Sequence, residues 1–284
     1  MPACHKPNVG SNSFMTTQPI LKRDVTGDWM MIYPEIVDTF HEDYYHAVDI
    51  MDYEPKKADK IFRKIIKACG NGHIDAILHL GLLQNDLGKK TEGNALVNKA
   101  HTIALEAIPT DFNADTAKIP WPYLENRPFL RTFHAIGLEY INEKQFEKAL
   151  EKFKFILKVN PGDNQGVRFL LPECLIRLYR YDDFLKLDEK SEDSESIEYS
   201  YSRVLSYYKL GHFDNAKLEF KSARKLHPHV ADELIKDNHA FPTDETRSPY
   251  GVPTGSKQEA FDYWLRTRDV WDKEKGFKEF IKSV

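Results

Sequence analysis

Imidazole is a metal ligand, a general base and a proton shuttle near neutral pH, so the histidines come first. His41-Glu42-Asp43-Tyr44-Tyr45-His46 resembles the zinc-protease string HExxH. That motif needs its histidines four apart, so that both face one metal. Here they are five apart, and at about 3.6 residues per turn the rings diverge by about 140°. His73 and His79 flank an apolar stretch, and His227, His229 and His239 lie far along the chain. None has Asp, Glu or Cys at a ligand spacing that suits a helix, so structural histidines are expected. Cys4, Cys69 and Cys174 are too few and scattered for a disulfide framework or a metal knuckle. They read as free thiols of a reducing compartment, which makes the cytoplasm the expected location. No G-x-x-x-x-G-K-[ST], G-x-G-x-x-G or G-x-S-x-G string occurs. The expectation is a non-enzyme with no cofactor and no metal.

Charge excludes further classes. A net charge of -4 and a pI near 6.3 give no general attraction to nucleic acid. Lys56-Lys57, Lys89-Lys90 and Arg224-Lys225 are short and dispersed, without a basic stripe and interleaved aromatics. No nucleic-acid partner is expected. No run approaches eighteen apolar residues, so no membrane-spanning helix and no membrane partner are expected either. The chain is 41% hydrophobic and 30% charged, enough for a sizeable core.

The strongest pattern is one of elements. In Phe129 to Pro161 the landmarks are Phe133, Ile136, Gly137, Tyr140, Ala149, Phe153, Ile156 and Pro161. Ile136, Gly137 and Tyr140 share one face of a first helix, and Ala149, Phe153 and Ile156 share one face of a second. Gly137 and Ala149 are small, so the two backbones can approach closely. Asn142 to Gln145 turns the chain, and Pro161 ends the second helix. In 34-residue numbering the landmarks fall at positions 4, 7, 8, 11, 20, 24, 27 and 32, a spacing that resembles the tetratricopeptide (TPR) repeat.

The same offsets recur more weakly. Ala58, Phe62 and Ile65, then Gly93, Val97 and Ala100, occupy positions 20, 24 and 27, with Ile77, Leu80 and Gly81 at positions 4, 7 and 8. Phe184 holds position 20 of a fourth repeat, and Ala216, Phe220, Ala223 and Pro228 mark a fifth. The expected organisation is a disordered leader over 1–27, a TPR-like domain over 28–236, an extended strap over 237–255 and a capping helix over 256–284. Positions 33, 36, 40 and 44 keep a helical stripe and predict a helix there. Pro109, Pro120, Pro122 and Pro128 predict an irregular segment over 109–128, packed by Trp121, Tyr123 and Leu124. Residues 188–196 read as a solvated acidic connection, and Ser256 to Glu259 as a capping box.

The TPR resemblance covers residues 40–235. ENRPFLR (125–131), NPGDNQGVR (160–168), HPHV (227–230) and GSKQEA (255–260) are also similar to strings in a poorly characterised group of single-chain TPR proteins. The resemblance implies an all-α, TPR-like helical-hairpin solenoid of about five pairs, and it carries no reaction. The basic and Asn clamp by which some TPR proteins hold chaperone tails is missing, since His134 and Leu138 stand at its positions in the central repeat.

In TPR arrays the first helices line a concave groove. Its exposed positions would here be Arg131, His134, Leu138 and Ile141 in the central repeat, and Glu198, Tyr201, Leu205 and Tyr208 in the fifth. That face suits a partner peptide or subunit, with Arg131 available for a carboxylate. Asn164, Gln165 and Arg168 join the candidate site, against a plain role in turn bonding and pairing with a neighbouring repeat. The groove is either open or filled by 109–128 or 238–255. The expected function is a non-catalytic adaptor. The alternatives are a regulatory subunit of an enzyme, a cryptic hydrolase using His and Asp/Glu, and self-association.

Overall fold

The computed structural model describes residues 17–243 and 251–284. The first sixteen residues of the expected leader, Cys4 among them, lie outside the described residues, as do residues 244–250 of the expected strap. Among the described residues the fold is all-α apart from one hairpin, and the chain divides into two compact units. The first comprises residues up to 136 and 158–164, and the second residues 137–157 and 165–284.

The first unit opens on β1 (Ile20–Arg23) and β2 (Trp29–Ile32), paired antiparallel with Ile20 opposite Ile32. β1 falls within the expected leader and β2 within the expected helical start. Alternation explains the difference: Leu21, Trp29 and Met31 point inward and are buried. The Asp24 carboxylate closes the turn by accepting from the Thr26 and Asp28 amides, and Gly27 takes a left-handed φ of 93°. The hairpin is docked by backbone bonds, Leu21 N–H to the Ala107 carbonyl and Trp29 N–H to the Lys118 carbonyl.

The helices follow the repeat offsets. A 3-10 turn (Glu35–Phe40) leads into α1 (His41–Ile50), which pairs with α2 (Pro55–Cys69). Pro55 suits the first turn of α2, where its missing N–H costs nothing, and Ala58, Phe62, Ile65 and Cys69 form its buried face. α3 (Ile74–Asp86) pairs with α4 (Lys90–Glu106). Of the expected irregular segment, residues 109–125 are irregular and 126–128 already belong to the next helix; Ala117 and Ile119 are buried and the Tyr123 hydroxyl donates to Asp24 at 3.0 Å. Leu124, expected to pack, is 57% exposed.

α5 (Asn126–Asn142) begins with the fully buried Asn126. Its side-chain Oδ1 accepts the Met31 amide at 2.9 Å, and Nδ2 donates to the carbonyls of Trp29 (3.0 Å) and Pro120 (3.1 Å). One amide thereby ties β2 and the proline-rich segment to the start of a helix. The chain passes into the second unit within α5, returns at residue 158 near the end of α6 (Phe146–Val159), and crosses again at 165.

In the second unit, α7 (Leu170–Arg177) pairs with α8 (Tyr181–Asp188) and α9 (Ile197–Lys209) with α10 (Phe213–Leu226). The acidic connection is more ordered than its composition predicts. Arg203 pairs with Asp188 and donates to the Ser194 carbonyl at 2.8 Å. α11 (Val230–Ile235) precedes the strap, and α12 (Lys257–Trp271) opens as predicted, the Glu259 amide donating to Ser256 Oγ at 3.0 Å. A further helix, α13 (Lys275–Ser283), ends the chain.

Asn126→Ala would strand the Met31 amide and two carbonyls in a buried place. A loss of about 2–3 kcal/mol is expected, read from the urea midpoint, with faster hydrogen exchange at the Met31 amide.

Candidate functional site

In the first unit the predicted Arg131 is engaged internally. Its Nε donates to Asp75 Oδ1 at 3.1 Å, and a second guanidinium nitrogen pairs with Oδ2. Asp75 is 3% exposed and also accepts the Tyr44 hydroxyl at 2.6 Å. His79 Nδ1 lies 2.9 Å from the Asp75 carbonyl oxygen and 3.2 Å from the Tyr44 hydroxyl. Burial works against the Asp75 carboxylate, yet His79 and Arg131 outweigh it and hold its pKa below the usual value. Burial, followed by Asp75, pushes the Tyr44 phenol up. This constellation is an ionic lock between α3 and α5 whose carboxylate oxygens are already bonded.

Two further carboxylate–histidine pairs are engaged internally. His227 Nδ1 lies 3.0 Å from Glu259 and Nε2 2.9 Å from the Glu195 carbonyl oxygen. Burial opposes the charged ring, but these two bonds raise its pKa. His239 pairs with Glu233 at 2.8 Å and stacks on Trp264 with 3.6 Å between centroids. Glu233 borders an open depression of about 580 Å³ with His229, Asp232 and Lys236, and its other oxygen is held by Lys236 at 2.5 Å. His41 and His46 are exposed, and among the described residues no group of three or more His, Cys, Asp or Glu is placed to hold a metal. Cys69 and Cys174 are buried free thiols.

In the second unit the face of α9 is covered. Tyr201 and Leu205, expected to be exposed, are completely buried. Tyr201 packs on Tyr263 of α12 (6.0 Å), and Tyr208 on Phe277 (5.3 Å) and Phe280 (5.1 Å) of α13. A Cβ on Gly276 would stand 2.8 Å from the Tyr208 hydroxyl, so a larger residue there would displace the end of that side chain. Charges flank the aromatics. Arg266 bridges Glu173 (2.5 Å) and Glu198 (2.6 Å), and Arg177 forks onto Asp269 at 2.8 and 3.1 Å. Burial pushes the Glu173 carboxyl up despite Arg266 and Arg177. The segment against this face is therefore 257–283, neither of the two expected from sequence. The aromatic side of a helix expected only to close an end lies along α9.

The remaining predicted residues are more open. Leu138 is 39% exposed and Ile141 is half-buried. His134 is partly buried, and burial lowers its pKa against the pull of Asp163. Asn164 is exposed and Gln165 half-buried. Arg168 pairs with Asp193 at 2.5 Å and lies over the Phe169 ring. Sequence analysis passed over Asp75, Asn126, Arg177 and Arg266. The only signal for Asp75 was a carboxylate inside the apolar run IDAIL.

His73 adds a pH dependence to the first unit. It caps α3 by accepting the Ala76 amide on Nδ1 at 3.2 Å, and burial, partly offset by Asp75, lowers its pKa to about 4. The unfolded chain therefore takes up this proton first. Stability is complete above about pH 6.5 and falls as the pH drops toward the folded value. Asp75, lowered below its usual value, loses its contribution only at still lower pH. His73→Asn keeps a capping acceptor without the titration, so its urea midpoint should fall less than the wild type's between about pH 7 and 4.5.

Comparison with curated proteins returns no match. Among solved structures the chain is similar to MamA from AMB-1 (18% identity, TM-score 0.49, 70% of this chain and 97% of that one). It is also similar to YrrB, a TPR protein with an unusual peptide-binding site (16%, 0.46, 67% and 91%). A third is a tetratricopeptide repeat protein from Parabacteroides merdae (17%, 0.48, 85% and 80%). Every score is below 0.5, so these likenesses carry nothing about a site or an activity. The family comparison reaches further: residues 41–283, most of the chain, match the model described as Tcf25, transcriptional repressor TCF25, and the protein belongs to that family.

Proposed function

We propose that the chain is a non-catalytic protein–protein interaction module that holds a peptide or subunit of a partner on its first helices. The observation that carries this reading is the face of α9. It grips an amphipathic helix pair through a row of aromatic contacts flanked by Arg–carboxylate pairs, the physics of helix-in-groove recognition carried out within one chain. With that face filled, the surface left to a partner is Leu138 and Ile141 of α5. His227, with both ring nitrogens bonded, supports a non-catalytic role, because a general base needs a free nitrogen within reach of its substrate.

Affinity capture with mass spectrometry should recover a partner on the wild type that a folded Leu138→Glu/Ile141→Glu variant loses. Identical partner sets would sink this placement, and a mass that rises with concentration would point to self-association instead. The family description favours a second reading of the setting, in which the partner belongs to a transcription-repressing assembly and the chain works in the nucleus. Cell fractionation separates this from the cytoplasm expected from the thiols, and exclusion of the protein from nuclei would end the second reading.

A further inference from the structure

We propose that the solvent ridge of α2 is a docking site for an acidic segment of a partner protein, separate from the first-helix surface. Sequence analysis took Lys56-Lys57 as one of several dispersed basic pairs. On the helix the pattern is different. At about 100° per residue, Lys56, Lys60, Arg63 and Lys67 fall within an arc of about 60°. They lie opposite the buried Ala58, Phe62, Ile65 and Cys69. Lys57 and Lys64 flank the ridge on one side, and all six cations are exposed. With a rise of about 1.5 Å per residue the ridge offers one cation per turn over about 16 Å.

The salt bridges show how this face is used internally and what it leaves over. Lys57 pairs with Glu54, Lys64 with Asp43, and Arg63 with Asp59 and Glu92. Among the described residues, Lys56, Lys60 and Lys67 form no ion pair with a carboxylate, unlike their neighbours on the helix. An acidic helix or extended acidic tract carries carboxylates at a matching spacing, so charge complementarity defines the occupant. Nucleic acid fits less well. Asp59, Glu92 and Asp43 border the ridge and repel a dense polyphosphate more than a sparser carboxylate tract. One ring beside these cations, the half-buried Phe40, already lies against Lys64 at 5.8 Å and does not stand free for bases to stack on. No apolar residue interrupts the ridge either, so binding is electrostatic and salt-sensitive.

The test is fluorescence anisotropy of the full chain with a labelled Glu-rich peptide of about a dozen residues. Its Gln counterpart and an oligouridylate of equal charge serve as the other probes. The wild type should bind the Glu peptide at about 50 mM salt and lose most of that binding by about 200 mM. Lys56→Glu/Lys60→Glu/Lys67→Glu should bind at least about tenfold more weakly with an unchanged melting curve, while the Lys→Arg triple retains affinity. If the Glu triple fails to fold, a Lys→Gln triple replaces it, with the same loss expected. Lys99→Glu/Lys190→Glu/Lys225→Glu, three exposed lysines dispersed over the chain, changes the net charge equally and should leave binding intact. The proposal is overturned by absence of binding at low salt, by equal binding of the Gln peptide, or by equal loss in the dispersed variant. Undiminished binding by the α2 variant, or tighter binding of the oligouridylate, overturns it as well.

Discussion

Close approach of two helix backbones within each pair is the constraint from which the rest of the structure follows. A Cβ on Gly137 would lie 2.4 Å from the Phe153 ring, and one on Gly93 would lie 2.0 Å from the Asn85 side-chain oxygen. Neither contact is attainable, so both positions must lack a side chain. With the backbones this close, Phe62, Phe153 and Phe220 fill the space beside them and are almost completely buried. The outer faces of the helices are then free of packing duty and can carry aromatic, ionic or basic residues.

Those outer faces are used in different ways. On α9 the aromatic row meets α12 and α13, and Arg177 and Arg266 neutralise the carboxylates buried beside it. Removing either arginine would leave Glu173, 5% exposed, short of a counter-charge. On α3 and α5 the same kind of position carries Asp75 and Arg131, which satisfy each other. On α2, a second helix, the outer face keeps Lys56, Lys60 and Lys67 without a carboxylate partner among the described residues.

Much of this was legible in the sequence because it is local. The helix pairs follow from small and apolar residues at fixed offsets, and Pro55, Ser256 and the prolines of 109–128 act through backbone chemistry within a turn or two. The hairpin was missed because β1 and β2 are four residues each, and the helical stripe through Tyr33, Ile36, Phe40 and Tyr44 masked the alternation of Trp29 and Met31. Their anchor, Asn126, lies about a hundred residues away, where no periodicity reaches.

The sequence by itself determined the repeat and the buried faces of its helices, since each depends on residues within about ten positions of one another. It also placed the candidate residues: Arg131, Leu138, Tyr201 and Tyr208 stand on first helices at positions that face outward from their own pair. Only the tertiary structure decided which of them remain accessible. Arg131 is taken by a carboxylate 56 residues away, and Tyr208 is covered by rings about 70 residues later. Spacing along a helix says which way a side chain points, whereas what it meets there depends on chain segments whose docking is set by long-range burial and charge pairing.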